Sequence, residues 1–258
     1  MNTMGTTELH QDLIDYTVRL GDDAIVLGHR VSEWVSKGPF LEEDIALGNV
    51  ALDYIGRARM YYNYAAELTG NGKTEDDFAY LRNERQFQNY LINELPRGDF
   101  GYTIARQLLL DVYHTHYLSA LKASKDETLA AIAAKAIKET RYHLRRSTDW
   151  TLRLGDGTAE SHQRIQAAVN DLWGYTHEIF EHDELEQRLI EAGIAVDASS
   201  FKNQWLADVT RVLEKATLTV PKTEWVVRGG REGYHTENLG HLLTEMQFVH
   251  RAYPNSVW

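Results

Sequence analysis

The sequence predicts an all-α fold, an up-down bundle of antiparallel helices, and three observations carry that prediction. Only four prolines occur in 258 residues, so few positions forbid helix continuation. Glycine-rich breaks stand at TGNGK (69–73), RGDFG (97–101), LGDGT (154–158) and RGGREG (228–233). Between these marks apolar residues recur at helical spacing over segments of about 20 to 30 residues, joined by short polar links.

Taken in order, the expected helices are 9–36, 41–69, 75–95, 100–123, 126–154, 160–193, 199–217 and 235–253. In 41–69, Ala46, Asn49, Val50, Asp53, Gly56 and Met60 share one face, read here as the inward one. In 75–95 the same role falls to Tyr80, Glu84, Phe87, Leu91 and Leu95, and in 100–123 to Ile104, Leu108, Asp111, Thr115 and Leu118. The cleanest seam is in 126–154, where Leu129, Ala133, Ala136, Thr140, His143, Ser147, Trp150 and Leu154 alternate spacings of four and three. The stretch TLTVPKTEWVVRGG (217–230) breaks the helical pattern, and its β-branched residues around Pro-Lys predict an extended arm or a small hairpin. Domain organisation is expected to be single, 1–258, with the core bundle over about 41–154 and flanking helices at 9–36 and 160–253.

Composition excludes several function classes. A formal charge of −11 argues against nucleic-acid binding. No cysteine is present, which removes disulfides, zinc–thiolate sites and a thiol nucleophile. There is no phosphate-binding glycine loop and no nucleophile elbow. No secretory apolar segment and no run approaching ~18 apolar residues is seen, so a cytoplasmic chain is expected.

Chemistry is suggested at one place only. Asp53, Glu84, Asp111 and His143 lie near the middles of four consecutive expected helices, where an up-down bundle would gather them. Di-iron bundles supply a Glu from each of two helices and Glu-x-x-His from each of the other two. Here one such motif reads Glu84-x-x-Phe87 and the other Thr140-x-x-His143, while the remaining helices offer the shorter Asp53 and Asp111. A phenyl ring and a hydroxyl stand where ligands are needed, so two irons would be under-coordinated and under-neutralised. Asp111 with His114, and Glu139 with His143, are read as local helix-face pairs. The reading favoured is therefore no metal, no cofactor and no catalytic residue in this chain. The polar groups would be satisfied in the core by Arg57, Arg85, Arg106, Arg141 and Arg145. RGGREG is read as a joint, with anion capture by Arg228 or Arg231 as the lesser alternative.

Four stretches carry a specific resemblance: YTVRLGDDAIVLGHRVSEW (16–34), RNERQFQNYLINELPRGDF (82–100), AIAAKAIKETRYHLRRS (131–147) and GYHTENLGHLLTEMQFVHRAYPNSVW (233–258). With the spacing between them, the chain resembles the family of non-catalytic bundle subunits of bacterial ring-1,2-phenylacetyl-CoA epoxidases. These belong to a multicomponent oxygenase of aerobic phenylacetate degradation. The resemblance implies a ferritin-like fold and a homologous catalytic partner subunit that holds the di-iron centre. It implies further subunits in the complex, among them a reductase, and CoA thioester near the subunit interface; a basic side chain such as Arg19 or Arg30 would assist there, and nothing in the sequence selects one. Phe87 and Thr140 would fill places where a catalytic relative has His and Glu. No catalytic residue is carried over, and the enzyme is the complex rather than this chain. A homodimer is expected when the chain is isolated. Two other readings stay open: a di-iron oxygenase with an atypical ligand set, and a stand-alone acyl-CoA-binding helical protein.

Overall fold

The computed structural model describes residues 3–222, 225–254 and 256, with the side chains of residues 3–6 excepted. The described residues are all-α, with no strand, and the fold is a ferritin-like helical one. The helices are α1 (Thr3–Ser32), α2 (Leu41–Thr69), α3 (Glu75–Tyr80), α4 (Leu91–Glu94), α5 (Phe100–Leu121), α6 (Glu127–Gly155), α7 (Ala159–Trp173), α8 (Glu184–Glu191), α9 (Lys202–Lys215) and α10 (Glu237–Ala252). Contacts divide the chain into two compact units: Met1–Pro96 with Gly229–Trp258, and Arg97–Arg228.

The first unit is built on the antiparallel pair α1 and α2. Thr17, Leu20, Ala24, Leu27 and Val31 form the buried seam of α1, alternating steps of three and four. His10 near the start of α1 meets the Leu68 carbonyl near the end of α2 at 3.1 Å, while Gly28 lies beside Tyr54 and Ile55. Midway, Gly21 admits the Tyr62 ring, which a Cβ there would overlap. Glu42, Glu43 and Asp44 occupy the first turn of α2, where the helix dipole favours them. Its end is marked by Gly70, left-handed at φ 63°, whose N–H returns to Ala66.

Beyond α3, the segment 81–96 is irregular. A 3-10 turn at Glu84–Gln86 and the single turn α4 are its only helical pieces, and Pro96 closes it. The continuous helix expected over 75–95 is therefore corrected. Tyr80, Glu84, Phe87, Leu91 and Leu95 mimic the helical period, but the backbone at Phe87 to Tyr90 is extended and bonded to side chains from elsewhere in the unit. Long helix thus begins at α1, ahead of the expected core range 41–154.

The second unit is built on α5 and α6, capped by Asp99 and Asp126, which accept from the N–H groups of Tyr102 and Leu129 at 2.8 Å. Ile104, Leu108, Asp111 and Leu118 on α5 are buried, as are Leu129, Ala133, Ala136, Thr140, His143 and Ser147 on α6. Six positions of the expected α6 seam hold, while Trp150 and Leu154 are half-exposed. The helix expected over 160–193 stops at Trp173 and tightens into a 3-10 turn at Gly174, where the Trp225 ring leaves no room for a side chain. Two 3-10 turns follow before α8. Phe180, Phe201, Trp205 and Tyr113 form an aromatic cluster there, and the Trp205 indole N–H donates to the Leu109 carbonyl at 2.9 Å.

The non-helical arm expected over 217–230 matches the described residues, which run from the left-handed turn at Thr217 (φ 60°) to the 3-10 turn at Gly230 without strand pairing. A hairpin does not form: the Val227 N–H bonds the Gly174 carbonyl at 3.2 Å, and Thr219 exchanges two bonds with Gln166. Thr223 and Glu224, which follow the Pro-Lys pair, lie outside the described residues.

Candidate functional site

Each degenerate ligand position has a definite place within its unit. In the second unit Asp111, Thr140 and His143 are all buried, at 0%, 0% and 2% exposure. The Ser147 hydroxyl donates to Asp111 Oδ2 at 2.7 Å across the α5/α6 pair. These three side chains are inward, as the seam predicted.

The first unit departs from expectation. Asp53 is half-exposed on α2, and Gly56 three residues on faces open space, so this helix offers no second side chain at ligand spacing. The inward face of α2 is Leu47, Val50, Tyr54, Arg57, Ala58, Tyr61 and Tyr62, about one residue round from the predicted line. Two apolar stripes run along α2, and polar regularity picked the wrong one. Glu84 is exposed on its 3-10 turn, where its carboxylate lies against Gly240 of α10. Phe87 is fully buried, with the Arg82 guanidinium 4.2 Å from its ring centroid. Glu84 and Phe87 therefore do not form a helical i, i+3 pair.

Of the arginines expected to neutralise this set, Arg57 and Arg106 are buried while Arg85, Arg141 and Arg145 are exposed. Arg57 sits over the Tyr54 ring, and Arg146 is the buried cation on α6. Arg19 and Arg30, proposed for CoA, are buried instead. Arg19 donates to Gln88 Oε1 at 3.1 Å, and Arg30 to the Glu94 and Asn238 carbonyls at 2.9 and 2.6 Å.

Sequence reasoning missed the strongest polar constellation, which lies wholly in the first unit. Adjacent carboxylates on α1, Asp22 and Asp23, hold the irregular segment. Asp22 accepts from the Tyr62 hydroxyl at 2.6 Å, the Gln88 N–H at 2.8 Å and Arg82 Nη1 at 3.0 Å, with Arg82 Nη2 closer still. Asp23 accepts from the Tyr90 N–H at 2.7 Å, Asn93 Nδ2 at 2.9 Å and Arg231 Nη2 at 2.8 Å. Arg231 also lies 3.6 Å above the Tyr90 ring centroid and donates to the Gln88 carbonyl. Of the two arginines of RGGREG, Arg231 is engaged in this way and Arg228 pairs at the surface with Glu181 through Nε and Nη2.

Glu94, fully buried, closes the constellation. It accepts from Asn89 Nδ2 at 2.9 Å, the Thr236 N–H at 2.6 Å and His235 Nδ1 at 2.7 Å. The other ring nitrogen, His235 Nε2, meets the Phe87 carbonyl at 2.8 Å. Opposite an ionised Glu94 the ring is flanked by two acceptors, and the imidazolium donates to both. Burial lowers the His235 pKa, but the bond and charge of Glu94 outweigh it and the net shift is upward. Burial raises Asp23 to about 6 against the opposing pull of Arg231 and the Tyr90 N–H. Burial and the Asp22 charge likewise hold the Tyr62 hydroxyl well above its ordinary value. A signal was present: Gly-Asp-Asp in the middle of an apolar helical run is a demand for buried donors.

These carboxylates are engaged by donors from their own chain, and the arrangement immobilises backbone rather than offering a group to a substrate. A di-iron set does not fit the six predicted positions. Their donors include a surface carboxylate, a half-exposed one and a phenyl ring engaged by a cation. Among the described residues no three His, Asp or Glu side chains come together as a metal site would need, and no helix is long and apolar enough to cross a membrane.

Comparison with known proteins gives two results. A family model described as phenylacetic acid catabolic protein matches residues 1–258. A relative from Escherichia coli (strain K12), one of the subunits of 1,2-phenylacetyl-CoA epoxidase, is 48% identical over 246 residues, covering 95% of this chain and 99% of that protein.

Proposed function

The chain belongs to the phenylacetic acid catabolic protein family, and from that premise we propose that it serves as the corresponding subunit of a phenylacetyl-CoA epoxidase, a non-catalytic partner of the subunit that carries the chemistry. The near end-to-end match to the Escherichia coli epoxidase subunit supports the assignment to that complex. The observation that carries the non-catalytic role is the donor set: Phe87 is buried under the Arg82 guanidinium, and Glu84 is on the surface.

In this reading the di-iron centre is held by a homologous subunit, and this chain supplies a rigid helical surface beside it. Asp22, Asp23 and Glu94 contribute by fixing segment 82–96 and the 229–238 stretch, which keeps the surfaces around them in one shape. No observation favours an oxygenase site within this chain or a stand-alone acyl-CoA carrier.

Iron stoichiometry tests the role. After anaerobic loading with ferrous iron and desalting, the purified chain should retain close to none and give no epoxide from phenylacetyl-CoA alone. Activity should return when the other subunits are added. About two irons retained per chain, or turnover by the chain alone, would overturn the non-catalytic reading.

A further inference from the structure

Among the described residues the large exposed apolar side chains are not spread evenly. Val35, Phe40, Leu41, Ile45 and Leu52, exposed by 46 to 70%, fall within one eighteen-residue stretch. Leu41, Ile45, Gly48, Leu52 and Gly56 follow steps of four, three, four and four, which is one stripe along α2 on the side away from α1. Val35 borders it, its Cγ2 standing 3.9 Å from where a Gly48 Cβ would be. A Cβ on Gly56 would meet nothing within 4 Å.

Those glycines are the informative part. Glycine inside a helix costs about 1 kcal/mol relative to alanine, and here no neighbour within the chain requires it. A stripe of large apolar residues interrupted by glycines two turns apart is a groove for another helix, whose backbone approaches at the glycines while its side chains lie between the leucines. The five apolar side chains expose on the order of 500 Å², enough for an interface core and short of the ~800 Å² per partner of a whole interface. Glu42, Asn49 and Asp53 supply a polar rim.

We infer that the outer face of α2 is where this chain docks a helix of another subunit of its complex, one with an apolar ridge flanked by Lys or Arg. This rests on the subunit reading above. Charge selects the occupant. Glu42, Asp44 and Asp53 border the stripe, Asp44 also accepting the Gly38 N–H at 3.1 Å, and Arg59 at its far end already bonds Glu75 at 3.2 Å. A second copy would bring acid to acid from chains of formal charge −11 each, whereas a basic-flanked helix complements the rim.

The test measures binding of the full chain to the catalytic subunit of the same complex. Ile45→Glu with Leu52→Glu should weaken it about 100-fold while melting like wild type, and Gly56→Leu about 10-fold while melting no lower than wild type, because the positions are exposed. Phe248→Glu, on exposed α10, should stay within about 2-fold. Wild-type binding should weaken at high salt, as paired acidic and basic rims require. The inference is overturned if wild type binds and both α2 variants bind equally well. It is overturned too if the chain alone is a dimer that the α2 variants dissolve without changing their hold on the other subunit. Failure of wild type to bind any subunit instead removes the subunit reading itself.

Discussion

The two long hairpins bury polar groups in different ways. Between α5 and α6, Arg106, Asp111, Thr140, His143 and Arg146 are buried on regular helix, and Asp111 takes the Ser147 hydroxyl from the facing helix. Between α1 and α2, and around them, Asp22, Asp23 and Glu94 are bonded to residues far off in sequence, up to 208 positions away. In the regular hairpin the helices satisfy their own main-chain groups. The other must also hold an irregular segment whose N–H and C=O groups have no helical partners. Buried carboxylates appear where backbone is irregular, because each can satisfy several main-chain donors at once. They act as templates for a conformation that propensity alone would not select.

The sharpest way to break that contrast is Asp22→Ala. It takes the counter-charge from the largely buried Arg82 guanidinium and the acceptor from the Tyr62 hydroxyl, and should cost about 3–5 kcal/mol in denaturant unfolding. Hydrogen exchange should show the loss in the first unit. Equal loss of protection across Arg97–Arg228 would mean the two regions are not independent in the way described.

Ser147→Ala is the matched change in the second unit. It removes one donor to Asp111 and should cost about 1.5–3 kcal/mol, with lost protection concentrated in α5 and α6. A penalty as large as that of Asp22→Ala would erase the distinction between a carboxylate that holds irregular backbone and one placed between regular helices.

His235→Gln adds a pH signature. The folded imidazolium has a raised pKa, so its stabilisation is complete below the unfolded value near 6.5 and is lost as pH rises through the higher folded value. Wild type should exceed the variant by on the order of 1 kcal/mol in mild acid, with the gap closing toward alkaline pH. A gap that widens with pH would show that His235 is held neutral.

The smallest effect has the opposite sign. Gly56→Ala should raise stability by about 0.5–1 kcal/mol, since the site is exposed, helical and open. A destabilised alanine variant would mean that the glycine serves this chain's own folding.

How much of this could be read in advance depended on where each side chain's partner lies. The limits of α2 and the inward residues of α5 and α6 were legible because apolar spacing and breaks are local signals. Segment 75–95 was misread for the same reason: Tyr80, Glu84, Phe87 and Leu91 keep the helical period, while the groups that override it sit on α1 and beyond Gly229. The α2 face slipped because that helix is apolar on two sides, one of them exposed. Of the degenerate positions, Asp111, Thr140 and His143 lie inward as read. Asp53, Glu84 and Phe87 do not share that setting, since their surroundings are made by tertiary structure.

The first unit is also discontinuous along the chain, joining the opening 96 residues to those after Arg228. On the ribosome, α1 and α2 emerge early, yet Arg231 and His235 are synthesised only after the whole second unit. Until then Asp23 and Glu94 lack their cationic partners, and segment 82–96 has half its restraints. The second unit is thus free to mature first although it comes second, and the bonds of Arg231 and His235 close the first unit only afterwards. Stalling or truncating synthesis before Arg231 should leave a nascent chain with one protease-resistant half.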